Sequence, residues 1–329
     1  MLEAGQVAGK YEIIKPLGAG GEGCVYLAKD GTLSRLVAVK RMGERRDEKP
    51  EELEKSEEIE EPEKLEKSEK DTAREVFLAA GEMTGETTGE AVLLEAAFLR
   101  DLGHPMLPVV YDLFYEDGWY LVLEYIEGIS LHNYIKKTGY VEEEQGRIWA
   151  KALLEILEYF HTRKPPVIYR DLKPGNIMVC PDKSLRLVDL GAACLKSYEK
   201  DRDLQMALTS GYGAPEQRAG IGGRIYADER SDIYAFGRVL YYMMTGADPG
   251  KPPYGHLPVH VYNPLIGESL ERVIDKCTRE DPGERYQVVE EIRQDLCRQN
   301  RRGGNGRRRD FLRHMEKRVW LTQKLKVGL

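Results

Sequence analysis

Three spaced glycines and a lysine are the first residues whose types and spacing could do chemistry. Gly18-Ala19-Gly20-Gly21-Glu22-Gly23 runs into Cys24 and Val25, and Val37-Ala38-Val39-Lys40 follows. Glycines lack side chains, so backbone N–H groups can approach phosphate oxygens closely; the turn reads as a phosphate cradle or as a plain hairpin. A lysine ending an apolar strand is commonly a snorkelling edge residue, but behind such a turn an α/β-phosphate ligand is the better reading. Further along, Tyr169-Arg170-Asp171-Leu172-Lys173-Pro174-Gly175-Asn176 precedes Val188-Asp189-Leu190-Gly191. A structural carboxylate would account for Asp171 or Asp189 alone, not for both with Lys173 and Asn176 between them.

These residues need elements to position them. A dinucleotide-binding fold uses similar glycine spacing, but there the glycines open a helix. Here strand-forming residues follow directly, which predicts strand, turn, strand over residues 11–40. Residues 43–70 are almost wholly Glu, Lys, Arg, Ser and Pro, too polar to bury a core, with Leu-Glu-Lys-Ser-Glu at 53–57 and again at 65–69. This insertion reads as solvated and partly helical, with a docking element as the alternative. A helix is expected to follow, with Val92, Leu93, Ala96, Leu99 and Leu102 on its apolar face. Leu107–Tyr115 and Trp119–Tyr125 read as strands joined at Asp117-Gly118. Residues 142–162 read as a helix, with a stripe of Ile148, Ala152, Leu153, Ile156, Leu157 and Phe160. Short strands at Val167–Tyr169 and Leu185–Val188 precede a helical stretch from Asp232 to about Arg298. A strand-rich first part and a helix-rich second part predict an α+β protein of two lobes with a cleft between them.

From these motifs the chain is identified as resembling the eukaryotic-type (Hanks-type) protein kinase family, bacterial serine/threonine branch. The resemblance covers about residues 10–298 and rests on motifs in the family's order: the glycine loop, Val37-Ala38-Val39-Lys40, the catalytic loop, Asp189-Leu190-Gly191, Ala214-Pro215-Glu216 and Asp232 opening a helix. It implies a kinase domain with an N-lobe at 10–123 carrying the charged insertion at about 43–90, a hinge at 124–129 and a C-lobe at 130–298. A segment 1–9 precedes the domain and a basic tail 299–329 follows it. It implies ATP as cofactor with Mg2+ (Mn2+ as the alternative ion), held by the glycine loop, Val25, Ala38 and Lys40, and by backbone groups at Glu124 and Ile126 behind a gatekeeper Leu123. Asn176 and Asp189 would hold the metal, Asp171 would orient the substrate hydroxyl, Lys173 would steady the γ-phosphate, and Glu95, with Glu90 as the alternative, would pair with Lys40.

Tyr169 and Leu190 depart from the family's usual histidine and phenylalanine, and both are expected to fill an apolar stack with Leu99 and Val110. The resemblance makes residues 189–216 an activation segment, with Arg170 placed to meet a loop phosphate and Thr209 placed to favour Ser/Thr over Tyr acceptors. Glu216 should pair with Arg285. Gly175 and Ser130 stand where arginine-selecting relatives carry acids, so no arginine selection upstream of the acceptor is expected.

Composition adds limits. Of 329 residues, 41% are hydrophobic and 32% charged, and no apolar run reaches the ~18–20 residues of a membrane span. Five scattered cysteines, with no basic N-terminal leader, fit a reducing cytoplasm. From Arg301 onward ten Lys or Arg face Asp310 and Glu316, roughly +8, which leaves the rest near −15. That tail is expected either to meet an anionic membrane or RNA weakly or to stay solvated. Three functions are weighed: a protein Ser/Thr kinase, an ATP-binding scaffold of pseudokinase type, and a small-molecule phosphotransferase. A scaffold would normally have lost Lys40, Asp171 or Asp189, and a small-molecule enzyme would lack Ala214-Pro215-Glu216; all are present.

Overall fold

The computed structural model describes residues 2–20, 23–42, 100–195, 210–217, 227–251 and 257–297, with backbone alone at residues 20, 194 and 195. Its chain divides into two units, Met1–Glu127 and Gly128–Leu329. The insertion, the tail, Glu95, Thr209, most of the expected helix before Gly103, and the loop tip Gly21-Glu22 lie outside the described residues.

The first unit is a six-stranded antiparallel sheet. β1 (Val7–Ala8), β2 (Tyr11–Gly20), β3 (Gly23–Asp30), β4 (Leu36–Met42), β5 (Val110–Tyr115) and β6 (Trp119–Glu124) lie in the order β1-β2-β3-β4-β6-β5. Strand alternation sends Tyr26, Ala28, Val37, Val39, Tyr120 and Val122 to one face, where Tyr11 and Ile13 complete a dry core. The sheet curls so that its first strands meet its last. Tyr11 donates its hydroxyl to Asp112 at 2.8 Å and stacks on Phe114, while Lys10 pairs with Asp112 at 3.3 Å. The strand expected from Leu107 begins at Val110, because Leu107 N bonds His104 O in a turn. Asp117 and Gly118, both at positive φ, make the expected turn between β5 and β6.

The second unit is mainly helical. It holds β7 (Ile129–Ser130), α1 (Leu131–Thr138), α2 (Glu143–His161), β8 (Val167–Ile168), β9 (Ile177–Val179), β10 (Leu185–Leu187) and β11 (Cys194–Leu195). After these come α3 (Glu229–Thr245), α4 (Val259–Tyr262), α5 (Glu268–Cys277) and α6 (Val289–Cys297). The small sheets β10-β9-β7 and β11-β8 carry the loops that matter below. Helix α3 is buried from Ser231 to Met244, as an apolar helix at the centre of a lobe must be. It opens at Glu229 behind an Asp228 capping box, so Asp232 lies inside the helix rather than at its start. In α2 the apolar stripe is turned from the expected one: Trp149, Ala150 and Leu154 are buried with Leu153, Ile156, Leu157 and Phe160, while Ile148 is 56% exposed.

Candidate active site

In the first unit, strand register assembles one polar-rimmed face. Val25 stands opposite Lys40, Lys40 opposite Leu121, and Ala38 opposite Leu123. Because side chains alternate, Val25, Ala38, Lys40 and Leu123 share the face turned away from the Tyr26–Val39 core. Lys40 is 7% exposed. Gly18, Ala19 and Gly20 pair with Val25, Cys24 and Gly23, so the glycines form the expected hairpin, and Gly23 takes φ 134, open to glycine alone. Glu124 donates its main-chain N–H to Val109 O at 2.8 Å, and Ile126 is buried two residues beyond it.

In the second unit, a buried carboxylate from α3 sets the catalytic loop. Asp232, fully buried, accepts the backbone N–H groups of Tyr169 at 2.9 Å and Arg170 at 2.8 Å, and His161 Nε2 lies 2.9 Å from it. These bonds hold Arg170 at φ 65, a left-handed conformation that costs about 1–2 kcal/mol outside glycine. The reversal brings the chemistry-bearing residues together. Lys173 Nζ lies 2.6 Å from Asp171 Oδ2, and Asn176 Nδ2 donates to Asp171 Oδ2 at 2.9 Å and to its main-chain oxygen at 3.1 Å.

Asp189 is tied to this loop from two sides. Val188 N bonds Asn176 O at 3.1 Å, and the Tyr169 hydroxyl donates to Asp189 O at 2.7 Å. Burial, together with the charges of Asp189 and Asp171, pushes the Tyr169 hydroxyl far above its ordinary value, so it remains a donor at every working pH. Tyrosine in place of histidine is thus more than apolar filling: its hydroxyl reaches a main-chain oxygen of the Asp189 segment. Leu190 is buried, and the stack expected of it includes Leu99, which lies outside the described residues.

The donor set fits a hard divalent cation. Asn176 commits its amide nitrogen to Asp171, so the atom it can offer is its carbonyl oxygen, and Asp189 offers a carboxylate whose Oδ1 also accepts Gly191 N at 3.2 Å. Amide and carboxylate oxygens are the ligands of Mg2+, which takes one or two carboxylates and completes its shell with phosphates and water.

Two features lay beyond sequence reasoning. Gln217, 2% exposed, accepts Ala214 N at 2.9 Å and donates to Arg170 O at 3.4 Å, joining the segment after residue 210 to the loop. Arg170, read as a waiting partner for a phosphate, already donates its Nε to Ala192 O at 2.7 Å. Neither contact has a local signal, since each joins residues far apart in the chain. The expected Glu216–Arg285 pair forms with both carboxylate oxygens, at 2.7 and 2.9 Å.

Comparison with known proteins bears on the family and the fold. The protein kinase domain family matches residues 11–296. The chain is 28% identical over 310 residues to the serine/threonine-protein kinase PrkC of Bacillus subtilis, covering 90% of this chain and 41% of that protein. It is 30% identical over 310 residues to serine/threonine-protein kinase D of Synechocystis sp., covering 88% and 52%. It therefore spans about two fifths to one half of the length of these relatives. The kinase domain of Mycobacterium tuberculosis PknI superimposes with a TM-score of 0.61 over 90% of this chain and 98% of that one, at 19% identity. That likeness is one of fold, the two-lobed arrangement of a β-rich N-lobe and a helical C-lobe. No helix among the described residues is long and apolar enough to cross a membrane. With its fold, its motifs and nearly its whole length matched, the chain belongs to the protein kinase family.

Proposed function

We propose that the chain transfers the γ-phosphate of ATP to serine or threonine hydroxyls of proteins. The observation that carries this reading is the cluster of Asp171, Lys173, Asn176 and Asp189, held by Asp232 and by the Tyr169 hydroxyl. In it Asp171 takes the acceptor hydroxyl's proton or orients it, and Lys173, already paired with that carboxylate, carries positive charge to the transferring phosphoryl group. Asn176 and Asp189 hold Mg2+, which when bound neutralises phosphate charge. Lys40 holds the α- and β-phosphates, with Val25, Ala38, Leu123 and the backbone at Glu124 and Ile126 around the base, and Glu95 as the partner of Lys40. The serine/threonine-kinase names of the relatives support the choice of acceptor. The basic tail is proposed to give weak, salt-sensitive contact with anionic membrane or RNA.

The test is transfer from labelled ATP with Mg2+ to generic protein acceptors. Asp171→Asn should leave ATP affinity near that of the parent and lower the rate about 10²–10⁴-fold. Asp189→Asn should abolish transfer by removing a metal ligand. Full transfer by Asp171→Asn would overturn the reading.

A further inference from the structure

A histidine–aspartate gap beside the catalytic loop has no part in the chemistry above. Asp248, in the loop after α3, has a side chain only 13% exposed. Its Oδ1 accepts the Tyr212 hydroxyl at 2.9 Å and Gly250 N at 2.9 Å, which occupies both lone pairs of that oxygen. Its Oδ2 faces His132 Nδ1 across 4.0 Å, too far for a hydrogen bond. His132 keeps 31% exposure, has the Tyr242 ring 5.9 Å away, and is anchored by its own N–H to Pro174 O at 3.1 Å. On the far side Arg238 Nε holds Gly211 O at 2.7 Å, and Gly211, at φ 82, packs against Pro249 so closely that no side chain fits there.

We propose that this gap is a substrate subsite that selects a lysine near the phosphoacceptor and prefers it to arginine, a reading that rests on the kinase function proposed above. The Oδ2 of Asp248 is a carboxylate oxygen, and His132 Nδ1 is an acceptor when the ring proton sits on Nε2. One ammonium about 2.8 Å from each acceptor bridges a 4.0 Å separation, and its tetrahedral N–H directions suit two acceptors so placed. A guanidinium gains its advantage by forking onto both oxygens of a carboxylate, and here Oδ1 is already saturated by Tyr212 and Gly250. Position follows from Pro174. Asp171 and Pro174 are three residues apart, at most ~11 Å of chain, so a lysine side chain reaching the gap belongs within about four residues of the acceptor. The acids missing at Gly175 and Ser130 are thereby replaced by one carboxylate from a different loop, with one free oxygen instead of a fork.

The experiment uses the full chain with Mg2+ and ATP on peptides holding a fixed serine, with lysine, arginine, norleucine or glutamate at each of the four positions on either side. At one position lysine should exceed norleucine roughly tenfold in kcat/KM, and arginine by a smaller factor. Asp248→Asn and His132→Leu should each bring the lysine-to-norleucine ratio towards one. Because Asp248 also holds Tyr212, Tyr212→Phe is the control: it removes that bond, keeps the carboxylate, and should keep the lysine preference. Equal rates for lysine and norleucine at every position, arginine ahead of lysine, or a preference that survives both Asp248→Asn and His132→Leu would overturn the subsite. Absence of transfer to any acceptor would instead overturn the kinase reading, and the subsite with it.

Discussion

Removing the Glu216 carboxylate should destabilise the second unit strongly, because the cation it pairs with is buried. Arg285 has a fully buried side chain, and each of its five N–H donors has an acceptor. Nε donates to Arg279 O at 2.7 Å, Nη1 to Glu216 Oε1 at 2.7 Å and Arg230 O at 3.0 Å, and Nη2 to Glu216 Oε2 at 2.9 Å and Glu280 O at 2.9 Å. The three main-chain oxygens carry no net charge, so Glu216 is the only anion bonded to this cation among the described residues. Glu216→Ala leaves a buried guanidinium uncompensated, which typically costs ~3–5 kcal/mol. It also strips the Ser231 hydroxyl of its acceptor at the N-terminus of α3. Arg285→Lys should fare little better, because three donors on one nitrogen cannot meet five acceptors arranged for a planar fork. Arg285→Met with Glu216→Gln should lose less than the sum of the single changes, since no buried charge is then stranded. Urea unfolding of the full chain, followed by far-UV circular dichroism, measures these variants together with Arg285→Met and Glu216→Gln alone. If Glu216→Ala shifts stability by less than ~1 kcal/mol, the pair is hydrated and the bookkeeping of buried charge is wrong.

The other predictions follow from single contacts or from the tail. Tyr169→Phe removes the 2.7 Å hydroxyl bond to Asp189 O; losing it should cost ~0.5–1.5 kcal/mol and raise the Mg2+ concentration needed for half-maximal rate, and an unchanged Mg2+ titration would refute the link. Activity should rise on autophosphorylation at Ser197 or Thr209, with Ser210 and Tyr198 as lesser candidates, where a phosphate would meet Arg170 after displacing its bond to Ala192 O; mass spectrometry finding no phosphate between Asp189 and Glu216 in active protein would sink this. Full-length protein should sediment with anionic liposomes or RNA at low salt more than a version ending at Asn300, since each basic residue near an anionic membrane contributes ~1 kcal/mol; equal sedimentation would remove the role.

The parts of this protein legible in its sequence are those whose meaning is carried by neighbours in the chain. The glycine hairpin, the Val37–Lys40 strand and the loop from Asp171 to Asn176 could be placed because alternation and spacing are local. The phase of α2 was harder. Its sequence has apolar residues on more than one side, and Trp149 rather than Ile148 turns inward because its indole N–H reaches Lys183 O at 2.7 Å. A hydropathy pattern ranks Ile148 as the better core residue and has no term for that partner. The same limit governs the site. Asp232 was legible as part of a helix, but its side chain matters because two amides of a distant loop end on it. Nothing in its immediate sequence separates it from Asp228, the helix cap four residues earlier. Specificity lies at the far end of this scale. Gly175 and Ser130 stand where arginine-selecting relatives carry acids, which predicts only that arginine upstream of the acceptor is not selected. Asp248, supplied from beyond α3, faces His132, whose main-chain N–H is bonded to the catalytic loop's Pro174 O. Its effect depends on which of its two oxygens Tyr212 and Gly250 have already taken. Selection between two cations of equal charge is therefore set by lone pairs left over after folding, a quantity that exists only once the chain has closed around them.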